Sequence, residues 1–224
     1  MIFGETLAPA RSTAPAQWLV ERSSGAHGTV DALVPGRYES IIRLHAPDPE
    51  PDDWWELYRE LFATVTSVGA MHTATPDLAW FAIWEGHGFG PSSGAIGWRH
   101  SPADEAEQRH REELRERHRS AAQERTARIG PALAEVPQFA LPDRTFYLVQ
   151  GPLSALEGLR YPDDDGWKNP DLFWPDDHSW FAATDVDFWS LYVGGSSEFT
   201  SELSRRVKAP WEFVDRDQPL PIEH

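Results

Sequence analysis

The segment Asp77-Leu-Ala-Trp-Phe-Ala-Ile-Trp84 is apolar at both odd and even positions. An extended chain with that pattern has no face to offer water, so it must be a central strand covered on each side. Two covering layers need length, and 224 residues supply it. A chain of this size forms one ordinary domain or two small ones and buries roughly 70% of its unfolded surface. Hydrophobic residues make up 40% and aromatics 12%, including 11 Trp, a globular and tryptophan-rich composition.

Other stretches predict the rest of a sheet and its cover. Arg37 to His45 alternates, with Tyr38, Ile42 and Leu44 on one face and Glu39, Arg43 and His45 on the other. That is the pattern of a half-buried strand. Arg144 to Gln150 reads as another strand, stopped by Gly151-Pro152. Ser179 to Phe188 reads as one strand, with Trp180, Ala182, Val186 and Phe188 on one face and Phe181, Ala183, Asp185 and Asp187 on the other. Trp211 to Asp215 adds an edge strand. A helix starting at Asp52 or Asp53 carries Trp54, Tyr58, Leu61, Phe62 and Val65 on one side. Ser196 caps a last helix that buries Phe199, Leu203 and Val207. The residues after Pro152, as far as Asp177, are expected to form an irregular acidic loop. Residues 1–16, rich in Ala, Pro, Ser and Thr, are expected to be a loosely held tail. Strands and helices do not alternate regularly, which points to an α+β fold: a single domain over 17–224, with a mostly antiparallel sheet and two or three packed helices.

Residues 103–128 differ in kind. Seven acidic side chains and seven arginines share the run, with Leu114 the one large aliphatic. Glu105 and Arg109, Glu107 and Arg111, Glu113 and Arg117, and Glu124 and Arg128 stand four apart, acid first. Each such pair supports a helix by roughly 0.2–0.5 kcal/mol. A helix without an apolar face does not belong to a core, so this one is expected to be an exposed charged insertion.

The charge narrows the function classes. Lys and Arg number 20 and Asp and Glu 36, a net charge of −16, and no cysteine is present. Disulfide scaffolds, thiol catalysis and cysteine-based zinc sites are excluded. The acidity argues against a nucleic-acid binder, since counterion release needs clustered cations. No run approaches the roughly 20 apolar residues of a membrane span, and no cationic leader opens the chain, so a cytoplasmic protein with no membrane contact is expected. The excess of acid gathers at 48–53 and 163–177, because the charged run is neutral.

Most motifs fail on context. Gly90-Pro-Ser-Ser-Gly94 matches G-x-S-x-G, but the strand ends earlier and no helix follows, so a nucleophile elbow lacks its turn. Gly86-His-Gly-Phe-Gly90 has no lysine or helix start to hold a phosphate. Asp163-Asp-Asp-Gly166 resembles a calcium loop, yet Tyr161 and Leu172 fall where carboxylates are required. The histidines form no metal signature.

Asp185 and Asp187 are the sharpest candidates. Two residues apart on one strand, they share a face at roughly 7 Å and could bind a divalent metal or divide acid–base work. Asp177 and His178 precede that strand, and Glu85 and His87 follow the central one. Trp84 and Trp174, beside the acidic stretch, complete the candidate set. Solvent or arginine partners are the competing explanation for the pair. No cofactor is expected, and the identity of any metal is open.

The same stretches carry a resemblance. Leu33 to Tyr38, His72 to His87, Tyr147 to Leu153, and Leu172 to Phe188 continuing through Tyr192-Val-Gly-Gly195 resemble a family of uncharacterised actinobacterial proteins. The resemblance spans most of the chain outside the charged insertion and implies a single domain of prokaryotic origin. No activity is established for that family, so it transfers no catalytic residue.

Two functions fit. The first is a non-catalytic protein-binding or regulatory module, in which acidity steers a basic protein partner and an exposed Trp anchors it. The second is a metal-dependent hydrolase or other enzyme using Asp185 and Asp187 with His178. Convergence of these groups in a pocket favours the enzyme; an arginine cap on the carboxylates favours the module.

Overall fold

The computed structural model describes residues 3–21, 28–45, 54–87, 105–142, 144–160, 167–185 and 188–221. In chain order these form β1 (Ala8–Pro9), α1 (Gln17–Val20), α2 (Val30–Leu33), β2 (Ser40–His45), α3 (Trp54–Met71), β3 (Ala79–Trp84), α4 (Glu105–Leu133), β4 (Gln138–Leu141) and β5 (Arg144–Gly151). β6 (Leu172–Pro175), β7 (Phe181–Asp185), β8 (Phe188–Gly195), α5 (Ser197–Arg206) and β9 (Trp211–Phe213) follow. The nine strands make one sheet in the order β1-β5-β3-β6-β7-β8-β2-β9, with β4 also on β5. Every pairing is antiparallel. The protein is a single-domain α+β fold.

β3 lies inside the sheet, and both of its faces are covered, as its sequence requires. Phe81 and Ile83 pack with Tyr58, Phe62 and Val65 of α3 and Leu203 of α5. Trp80 and Ala82 pack on the opposite side with Leu19, Val30 and Tyr38. Trp180 ties α3 to α5: its ring stacks on Phe199 at 5.7 Å and its indole N–H donates to the Gly69 carbonyl at 3.0 Å. A Cβ on Gly69 would overlap that indole, so the helix needs glycine there. The Ser196 hydroxyl accepts the Phe199 N–H at 3.2 Å and caps α5.

Several expectations change. Residues 3–16 are not a loose tail: Phe3 and Leu7 are in the core, and β1 pairs with β5. β2 is buried on both faces, because Ile41 joins the second cluster while Ile42 and Leu44 join the first. The acidic stretch after Pro152 contains a 3-10 turn at Leu153–Gly158 and the fully buried strand β6. The run from Ser179 to Phe188 is two strands, since Asp185 pairs with Phe188 and the chain reverses between them. The charged helix runs on to Leu133, where Ile129 and Leu133 are buried. Its exposed part carries the anticipated pairs Glu105–Arg109 and Glu113–Arg117, both at 3.8 Å. Among the described residues, no helix is long and apolar enough to cross a membrane. Asp187, the acidic segment 48–53, Asp163–Asp165 and the Gly90–Gly94 motif lie outside the described residues.

Candidate functional site

The candidate residues divide between opposite ends of the sheet. β6 and β7 are antiparallel, so the turn between them lies at one end and Asp185 at the other. Seven residues of extended chain separate His178 from Asp185, a span of about 23 Å. Asp177, His178 and Trp174 therefore do not meet Asp185, Trp84, Glu85 and His87.

At the turn, Asp177 acts as a clasp. It accepts the Ala74 N–H at 2.6 Å, the Thr73 hydroxyl at 2.8 Å and the Ser179 N–H at 3.0 Å. Burial pushes its carboxyl up, but these donors outweigh burial and hold it below the usual carboxylate range. His178 adopts φ 55°, stacks on Trp18 at 4.6 Å and receives a hydrogen bond from Arg37 at 3.3 Å on Nδ1. Burial, then the Arg37 charge, lowers its pKa against the opposing pull of Asp176 and Asp177. Trp174 is fully buried.

At the far end, the carboxylates are occupied. Arg144, first residue of β5, grips Asp185 with Nε to Oδ2 at 2.8 Å and Nη2 to Oδ1 at 2.5 Å. Its guanidinium lies 4.4 Å from the ring centre of Trp84. The result is a bidentate ion pair laid on an aromatic face, the geometry arginine favours. Beside it, Asp171 is buried and accepts the Trp84 N–H at 2.7 Å and His87 Nε2 at 2.9 Å. The backbone of Asp171 also bridges two strands, donating to Ala82 and accepting from Thr184. Thr184 gives its hydroxyl proton to the Ser190 carbonyl at 2.9 Å, so Tyr58, 3.2 Å away, must donate to Thr184. Burial pushes the Tyr58 phenol far up, which keeps that proton in place. Glu85 opens the 3-10 turn that carries His87. Among the described residues, no three His, Cys, Asp or Glu side chains are grouped to hold a metal.

Sequence reasoning missed Arg144 and Asp171. Asp171 falls within the stretch expected to be an irregular acidic loop, although it directly precedes the apolar run Leu-Phe-Trp-Pro that forms β6. Arg144 gave no signal, because its partner is 41 residues away.

The remaining surface feature lies on β9. Trp211 is 42% exposed and Phe213 50%, and their rings meet edge to face at 5.4 Å. Trp80, Trp167, Trp174 and Trp180 are buried. β9 pairs only with β2 among the described residues, placing Trp211 beside Leu44 and Phe213 beside Ile42. Both rings thus belong to the face covered by α3 and α5. Glu212 projects oppositely and is held by Arg43 at 3.3 Å and His45 at 3.5 Å. Pro210, just before Trp211, lines an apolar groove of about 210 Å³ with Leu57, Leu61, Val207 and Ala209.

In comparisons with family models, characterised proteins and solved structures, nothing matches this chain.

Proposed function

We propose that the chain is a non-catalytic protein-binding module that docks its partner on Trp211 and Phe213. The observation that carries this reading is the exposed aromatic pair on an edge strand, in a protein that buries most of its described Trp side chains. Large aromatic rings in water are characteristic anchors of protein interfaces. The hydrolase reading needs Asp185 open to a metal or substrate, and the Arg144 pair supports the binding module instead. A net charge of −16 favours a basic protein over a nucleic acid as the partner. The module acts in the cytoplasm of an actinobacterium, in keeping with the family resemblance.

The test is affinity purification of the tagged chain from its native cells, beside a Trp211→Ala, Phe213→Ala variant. A stoichiometric partner held by the wild type and lost by an equally stable variant supports the reading. Equal retention by both would sink it.

A further inference from the structure

The backbone of β9 gives the docking surface a second property. His45 N–H donates to the Pro210 carbonyl at 2.9 Å, and Val214 N–H donates to the Ile41 carbonyl at 3.1 Å. Hydrogen-bonded residues alternate along an antiparallel ladder. Glu212, in register with Arg43, is thus the inward-bonding residue between Pro210 and Val214. Trp211 and Phe213 fall on the alternate positions, so their N–H and C=O groups point away from β2. Trp211 and Phe213, the exposed rings of β9, are thus the residues whose backbone faces the edge that no other described strand covers.

The local charge selects an occupant. Nearby cations are engaged: Arg43 with Glu212, Lys208 with Glu60 at 2.5 Å, Arg206 with Glu202 at 2.6 Å, and Arg216 with the carbonyls of Gly36 and Tyr38. Asp215 and Asp217, which follow the strand, are exposed carboxylates. A second copy of the chain would bring another −16 to this edge and be repelled.

We infer that β9 accepts an extended segment of a partner protein as an added strand, one in which apolar residues alternate with Lys or Arg. Resting on the proposed docking surface, the inference specifies how the partner binds and its chemistry. Main-chain bonds to Trp211 and Phe213 supply pairing, the two rings receive the apolar side chains, and the basic side chains meet the carboxylates.

The test uses the full chain and fluorescent seven-residue peptides that alternate Val or Ile with Lys or Arg, beside a set with Glu at the basic positions. Phe213→Ala and Phe213→Pro both remove the ring, but only proline removes the outward N–H, and it leaves the β2 ladder intact. The expected result is binding of the basic set alone, weakened in Phe213→Ala and weakened about tenfold more in Phe213→Pro. Bound peptide should slow amide exchange at Trp211 and Phe213 and leave Glu212 and Val214 unchanged. If proline lowers the melting midpoint, amide exchange on the wild type decides alone. Equal affinities for the alanine and proline variants, with no slowing at Trp211, would overturn strand addition and leave the docking reading standing. Peptide binding that ignores Trp211→Ala and both Phe213 variants would overturn both. Failure of the basic set to bind, or a concentration-dependent dimer abolished by Phe213→Pro, would overturn the inference.

Discussion

The far end of β7 and the edge strand β9 handle difficult surface in opposite ways. At the first, charge is drawn inward and hydrogen-bonded: Asp185 by Arg144, Asp171 by His87 and a backbone N–H. At the second, apolar rings are pushed outward and left in water, while the charged Glu212 between them is tied down. A carboxylate in a strand stands out in a sequence, yet Asp185 is engaged in holding two strands together. Among the tryptophans whose burial is described, Trp211 is the most exposed. Chemical oddity in the sequence and availability in the fold are therefore separate properties.

The contrast can be broken most forcefully at Arg144. Arg144→Ala strands the Asp185 carboxylate and uncovers Trp84; since both partners are about one-fifth exposed, the expected loss is about 2–3 kcal/mol in chemical denaturation. The double change Arg144→Met, Asp185→Leu should recover most of it, and a double variant as unstable as the single would show the pair does more than neutralise itself. Asp171→Asn comes next. An amide turns one donor face toward groups that are already donors, Trp84 N–H and His87 Nε2, so about 1–2 kcal/mol should go. An unchanged midpoint would mean that the buried carboxylate is not what orders this end.

A smaller effect is expected from His178. Its folded pKa lies below the ordinary histidine value, so the unfolded chain takes up the proton first. Stability is complete above the unfolded pKa of about 6.5 and is lost as pH falls from there toward the folded value. Comparing thermal midpoints near pH 7.5 and 5.5 (both approximate), wild type should lose more than His178→Asn, whose side chain tolerates positive φ. Equal losses would remove His178 from the account. Trp211→Ala should change stability least, by about 0.5 kcal/mol, because the residue is 42% exposed on an edge strand. A large destabilisation there would make Trp211 a structural residue and erase the contrast.

Much of this architecture was legible in the sequence, for local reasons. The two-sided apolar run of β3, the Ser196 cap and the edge position of β9 are each specified by a few neighbouring residues. The reversal between β7 and β8 was not legible, because Thr-Asp-Val-Asp-Phe contains no Gly, Pro or Asn to mark a turn. That one omission let Ser179 to Phe188 read as a single strand, the premise of the paired-carboxylate hypothesis. Arg144 and Asp171 were hidden for a different reason: their roles come from partners brought together by the sheet order, at separations of 41 and 84 residues.

The sheet order also bears on how the chain is made. β2 lies between β8 and β9, so it waits for two strands that are translated long after it. Until β9 emerges, the backbone groups of Ile41, Arg43 and His45 have no cover on that side, and such an edge invites aggregation. Among the described strands, β9 is thus the last to be translated and stands at one end of the sheet. A nascent chain stalled before Trp211 would lack the docking surface and present in its place the sticky edge that β9 normally seals.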